Sequence, residues 1–168
     1  MRIKIQGKTI LPILLPIALL FSFTSLPDRV NFSGEWKLDE SKSEFGQFGQ
    51  FAARALKIAQ SDNVMAVDRT IPSRDGGEGR TVSYTVSFDG KESESDGFGG
   101  SKRKTTASWS DDGQTLTLHH KTHFDRDGQG IDVESTETWT LSGDGLLTIM
   151  THMSSPQGEI ETKAVYSK

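Results

Sequence analysis

The sequence contains no cysteine. That excludes disulfide scaffolds, thiolate zinc sites, thiol nucleophiles and the lipid-modified cysteine of a bacterial lipoprotein. No apolar run is long enough to cross a bilayer comfortably, which takes about 20 residues. The longest, residues 10–23, has 14 and is broken only by Pro12, Pro16 and Ser22. Positive charge is scarce as well, with 19 Lys and Arg against 23 Asp and Glu. Beyond residue 26 the balance is 16 basic to 23 acidic, near −7, which argues against binding to a nucleic-acid backbone. Neither a Walker-type phosphate loop nor a Gly-x-Ser-x-Gly elbow occurs, and nothing in the chain specifies a cofactor.

The start of the chain carries an address. Residues 1–8 hold Arg2, Lys4 and Lys8 and no acid, and the apolar run follows at once. A basic start, a short apolar middle and a polar exit are the order of a secretory signal. The expectation is a signal peptide over residues 1–26, cleaved between Thr24 and Pro27, and an exported domain over residues 27–168. A retained N-terminal anchor is the alternative. With the signal removed no stable membrane span remains, so the product is expected in the periplasm or outside the cell.

From Val30 onward apolar and polar residues alternate, the period-2 pattern of half-buried strands. Phe32, Gly34, Trp36 and Leu38 share one face of the first. Val82, Tyr84, Val86 and Phe88 repeat the pattern, as do Leu116, Leu118, His120, Thr122 and Phe124. The alternation continues through Val133, Ser135, Glu137, Trp139 and Leu141 and then Ile160, Thr162, Ala164 and Tyr166. Nine or so strands result. Asp-Gly pairs at 89–90, 112–113, 127–128 and 144–145 fall between them, and Asp-Gly suits tight antiparallel hairpins. The fold class is therefore all-β: an up-and-down meander of about 8–10 strands that buries its apolar face by closing into a barrel. Residues 39–60 interrupt the rule. There Phe45, Phe48 and Phe51 are spaced by three, which predicts a loop with one or two helical turns after the first strand. It serves as a plug for one barrel end or as a lid over a ligand mouth.

The segment Asn31-Phe32-Ser33-Gly34-Glu35-Trp36-Lys37-Leu38 resembles the opening strand of lipocalin-like, calycin-type proteins. The continuation Asp39-Glu40-Ser41-Lys42-Ser43 and the ending Glu161-Thr162-Lys163-Ala164-Val165-Tyr166-Ser167-Lys168 are similar to small secreted bacterial domains of that kind. The resemblance implies that Gly34 and Trp36 plug the closed barrel end. In that family an arginine from near the chain's end stacks on the indole; here the basic residues in that region are Lys163 and Lys168.

Candidate sites follow from inward faces. If Met65, Val67 and Ile71 face the lumen, so does Arg69; Trp139 and Val133 bring Glu137 and Ser135 with them, and Leu116 and Leu118 bring His120. The expected lumen lining is Arg69, Tyr84, Phe88, Trp109, His120, Glu137 and Trp139. A buried charge needs a partner, so Arg69 and Glu137 form either a structural pair or an anchor for a ligand's polar group. Trp109 and Trp139 open two stretches thirty residues apart that echo one another, which gives them equivalent places. No metal site is expected. His119 and His123 share a face but lie about 13 Å apart along a strand, and one ion cannot join them. The acidic stretch at residues 125–134 lacks the glutamate of a calcium loop and reads as a wide hairpin turn. The Gly97–Gly100 connection with Lys102, Arg103 and Lys104 after it reads as a flexible joint with a charged edge.

Three functions fit this chain. The first is a non-enzymatic barrel that binds a small apolar or amphipathic ligand in its lumen. The second is a filled barrel that acts through its outer surface or loops, as an inhibitor or an envelope interaction module. The third is a barrel isomerase or hydrolase using His120 and Glu137 as an acid/base pair.

Overall fold

The computed structural model describes residues 28–168 except 74–76, 78, 98–99, 127–128 and 156–157. The segment read as a signal, the Phe98-Gly99 step of the glycine-rich joint and the Asp127-Gly128 turn of the acidic stretch lie outside the described residues. Ten strands form: β1 (Gly34–Leu38), β2 (Ala55–Gln60), β3 (Val64–Ile71), β4 (Arg80–Ser87), β5 (Ser93–Asp96), β6 (Lys102–Trp109), β7 (Thr115–Arg126), β8 (Gln129–Leu141), β9 (Leu147–Ser155) and β10 (Gly158–Ser167). All pairs are antiparallel, and β1 also pairs with β10, so the sheet order is β4-β3-β2-β1-β10-β9-β8-β7-β6-β5. The two ends of that order meet where the Ser87 backbone N–H donates to the Ser93 hydroxyl at 3.0 Å. The result is a nearly closed up-and-down barrel with almost no helix.

The strand that alternation did not reveal is β5. Its sequence is Ser-Glu-Ser-Asp, with no apolar residue to mark a face. Pairing with β6, from Ser93 opposite Thr105 to Asp96 opposite Lys102, creates it. At the described Asp-Gly turns Gly90, Gly113 and Gly145 have φ of 78°, 70° and 80°, the left-handed region that glycine enters without a Cβ clash. The insertion after β1 consists of two 3-10 turns, Glu40–Lys42 and Gly46–Phe51. Asp39 caps the first by accepting from the Ser41 N–H. Of the three phenylalanines only Phe45 packs against the core; Phe51 is 46% exposed.

The barrel has a sealed end. Residues 28–33 cross it before β1 begins, held where the Val30 N–H donates to the Gly113 carbonyl at 2.9 Å. The Gln60 side chain clasps the same segment, donating to the Val30 carbonyl and accepting from the Phe32 N–H. This drops the Phe32 ring, fully buried, between Trp109 and Trp139. Trp36 is buried too and donates its indole N–H to the Phe32 carbonyl at 2.9 Å. Lys168 caps that indole, its ammonium 4.8 Å from the ring centroid. Gly34 makes the approach possible: its φ is +143°, and a Cβ there would stand 2.8 Å from Lys168 Cε.

Candidate functional site

Inward-facing side chains change character along the barrel axis. Near the sealed end the lumen is filled by Phe32, Trp36, Met65, Leu116, Leu118 and Leu147, none more than 1% exposed. Burying each such side chain contributes about 1.5–3 kcal/mol, so this half carries most of the stability. Above it sits a polar layer, and above that a half whose inward residues stay partly accessible.

The polar layer is built from strands on opposite walls. Arg69 on β3 and Glu137 on β8 are 68 positions apart in the chain and five strands apart in the sheet. Their side chains meet across the lumen in a two-pronged pair, Nη1 to Oε1 at 2.9 Å and Nη2 to Oε2 at 2.6 Å. Two parallel hydrogen bonds from a planar guanidinium are the strong form of this interaction. Glu137 Oε2 also accepts from the Trp139 indole at 2.9 Å and lies 3.7 Å from His120 Nε2. Arg69 in turn lies against the faces of Tyr84 and Trp139, at 5.3 and 5.5 Å from their centroids. His120 is fixed from behind by a 2.9 Å hydrogen bond between its Nδ1 and the Thr105 hydroxyl of β6.

Burial opposes charge on this pair, yet the pair stays charged. Burial alone would raise the Glu137 pKa; the Arg69 charge beside it, with help from His120, holds it well below the usual 4.5. For Arg69 burial works the other way and is again outweighed by Glu137, which keeps the guanidinium protonated. Tyr84 is different, because burial pushes its phenol well above 10 and the nearby Arg69 charge only partly offsets that. It therefore remains a hydrogen-bond donor.

Several buried polar atoms of this layer lack a hydrogen bond of ordinary length among the described residues: Arg69 Nε, Arg103 Nε and the Tyr84 hydroxyl, which lies beside the Arg69 guanidinium, while His120 Nε2 has Glu137 Oε2 at 3.7 Å. Buried donors and acceptors are almost always satisfied, so unpaired atoms facing a lumen mark a place where something polar belongs. Arg103 and Thr105 were missed in the sequence. Lys102, Arg103 and Lys104 looked like one charged edge, although alternation with Thr105 and Ala107 was the available signal. Both lie on the inward face of β6, opposite Thr122 and His120.

Five of the seven expected lining residues gather here: Arg69, Tyr84, His120, Glu137 and Trp139. Phe88 and Trp109 do not. They stand at the sealed end, edge to face at 5.3 Å, with the Arg29 guanidinium over both rings. The turns explain why. Ser110–Asp112–Gly113 and Ser142–Asp144–Gly145 share a Ser hydroxyl to Asp bond and a Gly N–H to Ser carbonyl bond, and they are 32 residues apart, not 30. Trp109 thus corresponds to Leu141 at the rim, and Trp139 lies two residues deeper on the same face. The remaining histidines, His119, His123 and His152, are exposed on the outer wall and meet Thr136, Asp132 and Glu161 respectively.

Beyond the polar layer, toward the end opposite the sealed one, the inward residues are Val82, Phe124, Val133, Ser135, Met153 and Ile160, all partly accessible. A separate groove of about 530 Å³ lies on the outer wall beside the first 3-10 turn, lined by Lys42, Glu44, Asp144 and Lys163 among others.

No protein-family model and no curated protein sequence matches the chain. Among solved structures it is similar to the zebrafish ileal bile acid-binding protein, crystallised with cholic acid, with a TM-score of 0.55 and 20% identity. The match covers 82% of this chain and 98% of that one. At that identity the likeness speaks for the fold alone, a nearly closed up-and-down β-barrel.

Proposed function

We propose that this chain is an exported, non-enzymatic barrel of the small secreted lipocalin-like kind, and that it takes a small apolar or amphipathic molecule into the accessible half of its lumen. The observation that carries the reading is the change along single strands. On β8, Trp139 and Glu137 are buried, whereas Ser135 and Val133 on the same face are not. Apolar side chains that face inward and keep contact with solvent form the lining a ligand would cover. The bile acid-binding neighbour, with cholic acid bound, shows that a barrel of this shape accommodates an amphipathic ligand in another protein. Export rests on the basic start and the apolar run of the first 26 residues.

Native mass spectrometry of protein purified from its own host tests the binding. A small molecule co-purifying at one per chain supports it. A bare mass, together with no uptake of neutral fluorescent probes at micromolar concentration by folded protein, would hand the function to the outer surface. N-terminal sequencing of the extracytoplasmic protein tests export, and the expected first residue lies within positions 25–28.

A further inference from the structure

The chemistry of the polar layer says what kind of group the ligand presents to it. From the sequence, Arg69 and Glu137 are either a structural pair or an anchor for a ligand's polar group. In the structure the carboxylate end is largely occupied, by two nitrogens of Arg69 and by the Trp139 indole. What remains unpaired is of the opposite kind. Arg69 Nε, Arg103 Nε and the Tyr84 hydroxyl are donors with no acceptor among the described residues. His120 Nε2 is different, because it faces Glu137 Oε2 at 3.7 Å and belongs to that cluster. Tyr84 is 7% exposed, so its hydroxyl has little contact with bulk solvent.

Charge points the same way. The whole chain is acidic, at −4. Its described inward faces nevertheless carry two arginines, Arg69 and Arg103, against one carboxylate, Glu137. The acids are therefore on the outside. A lumen with walls of low polarizability and an excess of one sign concentrates the field on what enters it.

We infer that the lumen selects amphiphiles with an oxyanion end, a carboxylate or sulfonate, seated against Arg103, Tyr84 and Arg69 with the apolar part toward the accessible end. This rests on the proposed lumen binding and narrows its ligand class. Between Glu137 and Ile131 on β8 lie roughly 20 Å of strand, enough to bury a medium-length apolar tail along Val133, Phe124 and Ile160.

The test uses four probes on the intact mature protein, followed by calorimetry: dodecanoate, dodecyl alcohol, dodecyltrimethylammonium and acetate. Dodecanoate should bind at least about tenfold more tightly than the alcohol or the ammonium, the gain expected of one charge-assisted hydrogen bond. Acetate should bind far more weakly than dodecanoate. Arg103→Met should bring the dodecanoate-to-alcohol ratio close to one, and Tyr84→Phe, which keeps the ring, should lower dodecanoate affinity several-fold. Circular dichroism confirms that each variant is folded. Equal affinity for dodecanoate and the alcohol, or a preference for the ammonium, overturns the inference and leaves lumen binding standing. Acetate matching dodecanoate overturns the amphiphile in favour of a free small oxyanion. If none of the four binds, lumen binding itself fails.

Discussion

One strand holds both halves of this molecule. On β9, Leu147 and Ile149 face inward and are sealed, while Thr151 and Met153 face inward and are not. Backbone geometry, pairing and face are the same for all four. The difference comes from across the lumen. Near the sealed end and in the polar layer above it large rings project to the axis, namely Phe32, Trp36, Tyr84, Trp139 and Tyr166. Toward the other end most facing residues are smaller or β-branched, such as Val82, Val133, Ser135 and Thr162, with Phe124 and Met153 the larger ones. A barrel of fixed radius is filled only where its inward side chains reach the middle. The packed half provides stability; the other is free to serve binding.

Substitutions can break that division, beginning where the largest loss is expected. Trp36→Ala should cost about 3–5 kcal/mol, as for a buried tryptophan truncation, read from urea midpoints. A loss below about 1 kcal/mol would mean the sealed end is not packed as described. Arg69→Met should cost about 3 kcal/mol, the lower end for a broken buried pair, since Arg69 is 19% exposed. Adding Glu137→Leu should restore most of it, because the double change no longer strands a buried carboxylate. If the double variant is as unstable as the single one, the cross-lumen pair is not what Arg69 contributes.

A smaller contrast lies within β9. Ile149→Ala should cost about 2–4 kcal/mol and Met153→Ala under about 1 kcal/mol, since only the first leaves a closed cavity. Equal losses would erase the boundary between the halves. Smallest at ordinary pH is the proton linkage of Glu137. Its folded pKa is depressed, so its stabilisation is complete above 4.5, the ordinary carboxyl value, and is lost as pH falls from there through the folded value. The stability difference between wild type and Arg69→Met/Glu137→Leu should therefore be flat from pH 7 to 5 and move against the wild type below 4.5. Movement in the flat region would mean that another group titrates the layer.

Much of this was legible beforehand. Alternation placed Arg69, Tyr84, His120, Glu137 and Trp139 on inward faces, and the Asp-Gly pairs marked turns at 89–90, 112–113 and 144–145. Gly34 and Trp36 pointed to a sealed end, where the structure adds Lys168 as the cap on the indole. Trp109 misled because a sequence echo of thirty residues differs by two from the spacing of the turns, and two residues along a strand preserve the face while changing the depth. Arg103 was hidden between two lysines that point outward.

By itself, then, the sequence determined the meander and the inward or outward sense of almost every strand residue, because period-2 burial is a local property that each segment carries alone. The tertiary structure decided depth and partnership. β5 exists only because β6 pairs with it. Phe32 is a core residue because residues 28–33 cross the end of the barrel. Arg69 meets Glu137 because strand order puts β3 and β8 on facing walls at matching height. Those contacts depend on the stagger of ten strands at once, which no single stretch of chain contains.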